Sequence, residues 1–173
     1  MTSTIFQRLG ERDRLLLQRW ALPETSRAAT LRAWMAVTHL GGSTATLTCS
    51  IVPLASHGRW HSGAVLSLTI LVVSHLVVQL VKRSVVRARP MAAVLGTIEV
   101  AAPDCFSFPS GHATAAMSVA FGYAMTLPEL AAPLLTLAVL VGASRVALGV
   151  HYPGDVLAGQ TIALLTGVVV VAW

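Results

Sequence analysis

The chain has 173 residues, of which 55% are hydrophobic and only 11% are charged. A soluble domain usually carries about 25% charged residues, so this composition, with a mean hydropathy of +0.73, predicts an integral membrane protein. The formal net charge of +5 does not indicate a nucleic-acid partner, because basic residues beside apolar segments set membrane topology or bind anionic lipids. We therefore expect one membrane-embedded domain over residues 1–173, in contact with membrane lipids and no nucleic acid.

The N-terminal region, residues 5–29, mixes charged side chains with leucine and tryptophan. It carries too many charges to cross a bilayer, and the pattern is typical of an amphipathic helix on the membrane surface. We do not expect a signal peptide here, because arginines and acidic residues alternate without an apolar core. The prediction is an interfacial helix ahead of the first span.

Five apolar segments follow and predict an all-α bundle of transmembrane helices. About 20 apolar residues are needed to cross about 30 Å of hydrocarbon. The first segment is interrupted by Gly41-Gly42, and residues 83–108 form a long loop. Short connections make the last three spans antiparallel neighbours. The predicted spans are about 31–55, 62–82, 110–127, 131–149 and 154–173.

Three clusters of polar residues lie at the ends of these segments. Because successive spans alternate in direction, all three clusters are expected at one face of the membrane. Ionisable residues at such positions are costly and mark functional sites. The clusters are Lys82 with Arg89-Pro90, then Pro109-Ser110-Gly111-His112, then Ser144-Arg145 with His151 and Asp155.

The third cluster contains a histidine and a carboxylate on one helical face, since His151 and Asp155 are four residues apart. A carboxylate bonded to one imidazole nitrogen fixes the tautomer and leaves the other nitrogen free for nucleophilic attack. Taken alone, the pair is more typical of a capping aspartate beside an interfacial histidine.

The second cluster stands at a helix start, where unpaired backbone N–H groups and the helix dipole favour an anion. Ser110 is a natural N-cap, and Gly111 lets an anion approach the backbone closely. His112 could then give a proton to a leaving oxygen. A plain helix cap after a loop is the alternative for this cluster alone.

The cations Lys82, Arg89 and Arg145 are suited to phosphoryl oxygens, arginine as a bidentate donor and lysine as a compact charge. Together they could neutralise a phosphoryl group during its transfer. Ordinary snorkelling at the membrane surface is the alternative.

Other polar residues are expected to have structural roles. We assign snorkelling to Arg83 and Arg87, and hydrogen-bonded packing to His75 inside the second span. The sequence contains no carboxylate cluster suited to Mg²⁺ and no zinc-type cysteine spacing. We expect no metal and no cofactor.

Read in order, the clusters are Lys-x6-Arg-Pro, Pro-Ser-Gly-His and Ser-Arg-x5-His-x3-Asp. This set resembles the signature of the type 2 phosphatidic acid phosphatase (PAP2) superfamily over about residues 80–156. The resemblance implies a PAP2-like fold and a lipid phosphatase that needs no metal. It implies a phosphohistidine on His151, orientation of His151 by Asp155, and proton transfer by His112. It implies phosphate binding by Lys82, Arg89, Ser110, Gly111 and Arg145.

The basic residues predict the orientation of the chain. With five spans, Arg59 alone lies on the side opposite the other lysine and arginine residues. Without the three predicted phosphate ligands, the division is still eight against one. The positive-inside rule then places the N-terminus and the candidate site at the cytoplasmic face of a bacterial inner membrane.

The resemblance leaves the lipid open. Small size and an inward-facing site favour a polyprenyl-linked cell-envelope precursor such as decaprenylphosphoryl-5-phosphoribose. Undecaprenyl or another polyprenyl diphosphate, phosphatidylglycerophosphate and phosphatidic acid are the alternatives. A non-enzymatic alternative is a catalytically silent lipid-binding scaffold, which would be expected to lack His112, His151 or Asp155. The sequence does not predict the oligomeric state.

Overall fold

The computed structural model describes residues 2–23, 25–90 and 106–173, with side chains described from Gly10 onward. The described residues are helical apart from turns and an isolated bridge between Ala88 and Phe106. Residues 91–105, which belong to the predicted loop 83–108, lie outside them. The α-helices are α1 (Thr2–Trp20), α2 (Ala28–His39), α3 (Ser43–Ile51), α4 (Arg59–Val85), α5 (Gly111–Thr126), α6 (Ala131–Ala147) and α7 (Pro153–Val171).

The N-terminal helix is shorter than predicted at its C-terminal end, because α1 stops at Trp20 rather than near residue 29. Pro23 follows closely, and a proline disfavours helical backbone at the residue before it. From residue 10 onward the helix is two-sided: Asp13 and Leu17 are half-buried, whereas Leu16 and Trp20 are exposed. Its location on a membrane surface stays a prediction.

The first predicted span consists of two helices, α2 and α3, and the break falls at the Gly41-Gly42 pair. Gly41 is buried at the corner between them. A Cβ atom there would lie 2.9 Å from the carbonyl oxygen of His112. Glycine therefore lets this corner pack directly on the first turn of α5.

Among the described residues, three helical segments are long and apolar enough to cross a membrane: Arg59–Val85, Pro128–Ala147 and Pro153–Val171. A 3₁₀ turn, Pro128–Leu130, precedes α6 in the second of these. Because α5 has 16 residues and the apolar segment Ser43–Ala55 is also short, a crossing by either stays a prediction. The architecture is that of an all-helical integral membrane protein.

The centre of the bundle is α5, which packs against α4, α6 and α7. Small residues bring these helices close, as is usual in membrane proteins. A Cβ atom at Gly122 would lie 2.6 Å from Cα of Ser67 on α4. Hydroxyl groups of Ser74 and Ser118 join the same two helices at 2.9 Å. The buried core between α5, α6 and α7 consists of Ala116, Met117, Ala120, Ala138, Val141 and Ala163.

The C-terminal ends of α4 and α6 and the N-terminal ends of α5 and α7 meet at one end of the bundle. The backbone N–H of Ser110 donates to the carbonyl oxygen of Asp155 at 3.0 Å, and that of His151 donates to Arg145 at 3.2 Å. A Cβ atom at Gly159 would lie 2.6 Å from the carbonyl oxygen of Ser110, so α7 needs glycine for this approach. Main-chain contacts thus join the second and third polar clusters.

Candidate active site

The His151 imidazole lies on the turn between α6 and α7 and is 1% exposed. Its Nδ1 is 3.5 Å from Oδ2 of Asp155, and its Nε2 is 3.0 Å from Nη1 of Arg89. A guanidinium can only donate, so Nε2 accepts and holds the lone pair. The ring proton is then on Nδ1, on the side of Asp155. This is the tautomer that a nucleophile acting through Nε2 requires.

The environment of His151 favours the uncharged ring. The pKa of His151 is lowered to about 4, chiefly by burial; a hydrogen bond to Asp155 opposes this shift, and the charges of Arg145 and Arg89 contribute to it. An exposed histidine has a pKa of about 6.5. The Nε2 lone pair is therefore available at neutral pH.

The Asp155 carboxylate is fully buried in the first turn of α7 and is fixed from several directions. Its Oδ2 accepts from the backbone N–H of Tyr152 at 2.9 Å and from the hydroxyl of Ser107. Its Oδ1 accepts from Nη1 of Arg87 at 2.6 Å. Each contact limits rotation of the carboxylate, so Oδ2 stays turned toward His151.

Among the described residues, two of the predicted phosphate ligands each have a buried polar atom without a hydrogen-bond partner. Arg145 is 1% exposed and donates from Nη1 to the hydroxyl of Thr38 at 2.8 Å, while its Nε has no partner. Ser110 holds the predicted N-cap position of α5, yet its hydroxyl makes no capping bond. A buried unpaired donor is destabilising by about 1–3 kcal/mol, so an anion at this position would relieve it.

A cavity of about 640 Å³ lies beside these groups. A Cβ atom at Gly111 would meet no atom within 4 Å, so the start of α5 is open. Both histidines border the same cavity, as two groups acting on one phosphoryl group require. The predicted site residues on the cavity wall are Lys82, Arg89, Gly111, His112, Arg145 and His151, while Ser110 and Asp155 are buried behind it.

The cavity continues between α3 and α4, where apolar side chains form part of its wall. Leu47, Val72 and Leu76 line it and are also exposed on the outside of the bundle, Leu76 by 59%. His75 and Gln79 are polar residues in the same wall, and their Nε2 atoms lie 3.2 Å apart. The expected hydrogen bond of His75 is present, but the expectation that the residue packs inside the bundle is wrong, because its side chain is exposed and lines the cavity.

The expectation that Arg87 snorkels at the membrane surface is also wrong. Its side chain is 24% exposed, and its guanidinium bridges Asp155 to Asp13 of α1. Ser107 and Thr38 were not singled out, although each contacts a predicted site residue. These side chains reach the site only when the chain folds, and their spacing in the sequence does not predict a role there. Within the described residues, no group of three or more His, Cys, Asp or Glu side chains could hold a metal ion.

Known proteins share parts of this sequence. Decaprenylphosphoryl-5-phosphoribose phosphatase of Mycobacterium tuberculosis H37Rv is 36% identical over 102 residues, which are 57% of this chain and 54% of that protein. Lipid A 1-phosphatase of Rhizobium johnstonii is 34% identical over 116 residues, which are 62% and 47% of the two chains. The chain thus spans about half the length of the curated relatives it matches.

A solved structure has a similar fold over nearly the whole chain. The transmembrane PAP2 type phosphatidylglycerolphosphate phosphatase from Bacillus subtilis superposes with a TM-score of 0.76 at 26% identity. The match covers 95% of this chain and 85% of that one. The sequence model of the PAP2 superfamily matches residues 63–173, which include all eight predicted site residues. The chain belongs to the PAP2 superfamily.

Proposed function

We propose that this protein hydrolyses a lipid phosphate, either a monoester or a diphosphate, at the cavity that His151 and His112 border. One observation carries the proposal: Nε2 of a buried, neutral His151 lies 3.0 Å from a guanidinium at the wall of that cavity. A guanidinium there can bind a phosphoryl oxygen and bring phosphorus within reach of Nε2.

The first step transfers the phosphoryl group to the protein. Arg89 exchanges its contact with His151 for a phosphoryl oxygen, and Nε2 attacks phosphorus. The P–N bond forms while the bond from phosphorus to the leaving oxygen breaks, and protonated His112 gives its proton to that oxygen. Asp155 stabilises the positive charge that develops on the imidazole.

The second step returns the protein to its starting state. His112, now neutral, takes a proton from a water molecule whose oxygen attacks phosphorus. The P–N bond breaks, inorganic phosphate forms, and His151 recovers its lone pair. No metal takes part in either step.

The phosphoryl oxygens are held by Lys82, Arg89 and Arg145 together with Ser110 and the backbone of Gly111. The buried, unpartnered Nε of Arg145 and hydroxyl of Ser110 support this role among the described residues. Both are donors that a bound phosphoryl group could satisfy without displacing another contact. Preorganised donors of this kind stabilise charge that is spread over a transferring phosphoryl group.

As the substrate we propose a polyprenyl-linked cell-envelope precursor such as decaprenylphosphoryl-5-phosphoribose. The apolar wall of Leu47, Val72 and Leu76 suits a prenyl chain. His75 lies seven residues before Lys82 on α4, about 10 Å along the helix axis. This spacing suits a sugar between the phosphate and the chain. Undecaprenyl diphosphate, phosphatidylglycerophosphate and phosphatidic acid are the alternatives.

The membrane arrangement is part of the proposal. The chain crosses the inner membrane five times, with α1 on the surface and the site at the cytoplasmic face. The uneven distribution of basic residues supports this orientation. Labelling of single cysteines at position 57, beyond the far end of α4, and at position 83 should give opposite sidedness in intact cells.

The experiment for activity is release of inorganic phosphate from short-chain lipid phosphates in detergent, with EDTA present. The wild-type protein should release phosphate, and His151→Ala should release none above background. His57→Ala, at an exposed position outside the site, is the matched control. A silent scaffold would release no phosphate from any lipid, and activity that requires Mg²⁺ would contradict the mechanism.

The experiment for the substrate compares a polyprenyl phosphoribose phosphate with a polyprenyl diphosphate. His75→Leu should slow hydrolysis of the sugar-containing lipid about tenfold, since one or two hydrogen bonds are lost, and leave the diphosphate unaffected. Equal effects on both lipids would remove the support for a sugar beside His75.

A further inference from the structure

We propose that α1 completes the active site, and that Asp13 is a positioning residue that acts through Arg87 on Asp155 and His151. The proposal rests on the proposed phosphatase function and adds a part of the chain that none of the three polar clusters contains. Its basis is a continuous set of contacts from the N-terminal helix to the nucleophile.

The central contact is Arg87, which bridges two carboxylates. Its Nη1 lies 2.6 Å from Oδ1 of Asp155, and its Nη2 lies 2.8 Å from Oδ2 of Asp13. The guanidinium also stacks on the ring of Tyr152, with 4.1 Å from Cζ to the ring centroid. Three partners on two helices and a turn therefore fix one planar group.

The ion pair with Arg87 stabilises the buried negative charge of Asp155. Asp155 is fully buried, and its neighbour His151 is uncharged at neutral pH. A buried carboxylate is destabilising unless a cation pairs with it, and Arg87 provides that charge. Asp13 in turn keeps the guanidinium on this side of Asp155, which leaves Oδ2 for His151.

Asp13 also contacts the backbone beside the catalytic pair. Its Oδ1 accepts from the backbone N–H of Gly154 at 2.8 Å. A Cβ atom at Gly154 would lie 2.6 Å from Oδ2 of Asp13, so the approach depends on glycine at that position. Asp13 thus binds the first turn of α7 at the residue that precedes Asp155.

The rest of α1 is docked where these contacts need it. Leu17 packs against a buried cluster at the ends of α5, α6 and α7. Just beyond the helix, the backbone N–H of Leu22 donates to the carbonyl oxygen of Ala147 at 2.9 Å. The half-buried face of α1, Asp13 and Leu17, is the one turned to the site. The cluster consists of Ala113, Val146 and Val156.

Nothing in the family signature accounts for this set. The PAP2 model matches residues 63–173, so Asp13 lies outside it. Arg87 lies within the matched region, at one of the unspecified positions between Lys82 and Arg89. Neither residue of the pair therefore belongs to the three motifs that resemble the family signature.

The test measures kcat and KM for the full-length protein in detergent, with Asp13→Asn as the main variant. Asparagine keeps an oxygen for the N–H of Gly154 and removes the charge that holds Arg87. We expect kcat to fall about tenfold while KM changes less than twofold, since the lost interaction acts in the reaction rather than in binding. Glu11→Gln, an exposed position on the same helix with the same change of charge, should keep wild-type kcat.

A double-mutant cycle separates positioning from general stabilisation. Arg87→Gln should lower kcat about a hundredfold, and the double variant D13N/R87Q should be no slower than R87Q, because Asp13 then has nothing to act through. Independent losses that multiply would overturn the relay, as would a wild-type kcat in D13N. Thermal unfolding of each variant shows whether the folded fraction changed.

If the D13N protein does not fold, a substitution at Arg87 still tests the proposal. Arg87→Lys keeps the charge but cannot form two N–H bonds to separate carboxylates in a fixed fork. An R87K protein with wild-type kcat would overturn the proposal. Active wild-type and E11Q proteins establish the phosphatase function separately; a wild-type protein without activity toward any lipid phosphate would overturn both proposals.

Discussion

The backbone N–H of Ser110 and the carbonyl oxygen of Asp155 are joined by a hydrogen bond of 3.0 Å. This bond links the first turn of α5, which carries His112, to the first turn of α7, which follows His151. The placement of the two histidines relative to each other therefore depends on the main chain. Replacing either side chain should leave the other in place, and kinetic effects can be assigned to chemistry.

Replacement of His112 by alanine should give a loss that depends on the leaving group. A proton donor matters most when the departing oxygen is basic, as in a lipid alkoxide, and least when it is acidic, as in p-nitrophenol. We expect H112A to lower kcat/KM about a hundredfold more for the lipid than for p-nitrophenyl phosphate. Steady-state rates for a series of leaving groups measure this, and equal losses across the series would exclude proton donation by His112.

The pH dependence should reflect the low pKa of His151, about 4. Protonation removes the lone pair on Nε2, so activity is lost as the pH falls through that value. On the alkaline side, activity should fall again once His112 has lost the proton that it donates. We expect the enzyme's acidic limb of kcat/KM near pH 4, well below the pKa of about 6.5 of an exposed histidine.

The substrate titrates in the same range and needs its own control. The second ionisation of a phosphate monoester lies near pH 6, and phosphorus NMR of the free lipid in detergent measures it directly. After correction for the ionisation of the substrate, a fall of kcat/KM with its midpoint at pH 6.5 would be incompatible with a buried, neutral His151.

Replacement of Ser107 by alanine should reduce kcat with little effect on KM. The hydroxyl donates to Oδ2 of Asp155 and lies 3.5 Å from Nδ1 of His151. A hydrogen bond to a charged group contributes about 1.5–3 kcal/mol, which corresponds to a fall of about tenfold or more. Ser84→Ala is a matched control, because that hydroxyl is exposed and donates to the carbonyl oxygen of Leu80 on its own helix. If S107A had the same kcat as S84A, Ser107 would have no role in the reaction.

Replacement of Gly111 by alanine should weaken anion binding without destabilising the fold. The added Cβ meets no atom within 4 Å, and alanine favours a helix more than glycine does. It would instead occupy space at the cavity, where we propose that the phosphoryl group approaches the backbone. We expect an approximately tenfold weaker inhibition by inorganic phosphate, with an unchanged unfolding temperature. Gly10→Ala, where a Cβ also meets no atom, is the control, and equal inhibition of both variants would place the anion elsewhere.

The family, the helical architecture and the placement of polar clusters at helix ends could be predicted because their signals are local. Charge and polarity at the ends of apolar segments identify helix termini, and the spacing of His151 and Asp155 follows directly from helical geometry. The break at Gly41-Gly42 was visible for the same reason, since glycine is the residue that permits a corner.

The remaining contacts could not be predicted because they join distant parts of the chain. Arg87 and Arg83 look alike in sequence, yet Arg87 pairs with Asp13 and Asp155 while Arg83 is exposed. Likewise, periodicity cannot tell whether His75 packs in a core or lines a cavity. Which face of α4 is left uncovered depends on where α3 ends, and only the folded chain determines that.

The open side of the cavity between α3 and α4 has a kinetic consequence. Leu47, Val72 and Leu76 line the cavity and also face outward, so a hydrocarbon chain can remain among other acyl chains while its head group reacts. For the lipid substrate that we propose, encounter would then take place by diffusion in two dimensions. Reaction velocity should follow the mole fraction of substrate in a micelle or vesicle, and dilution with inert lipid should slow turnover even when the molar concentration of substrate in the tube is constant.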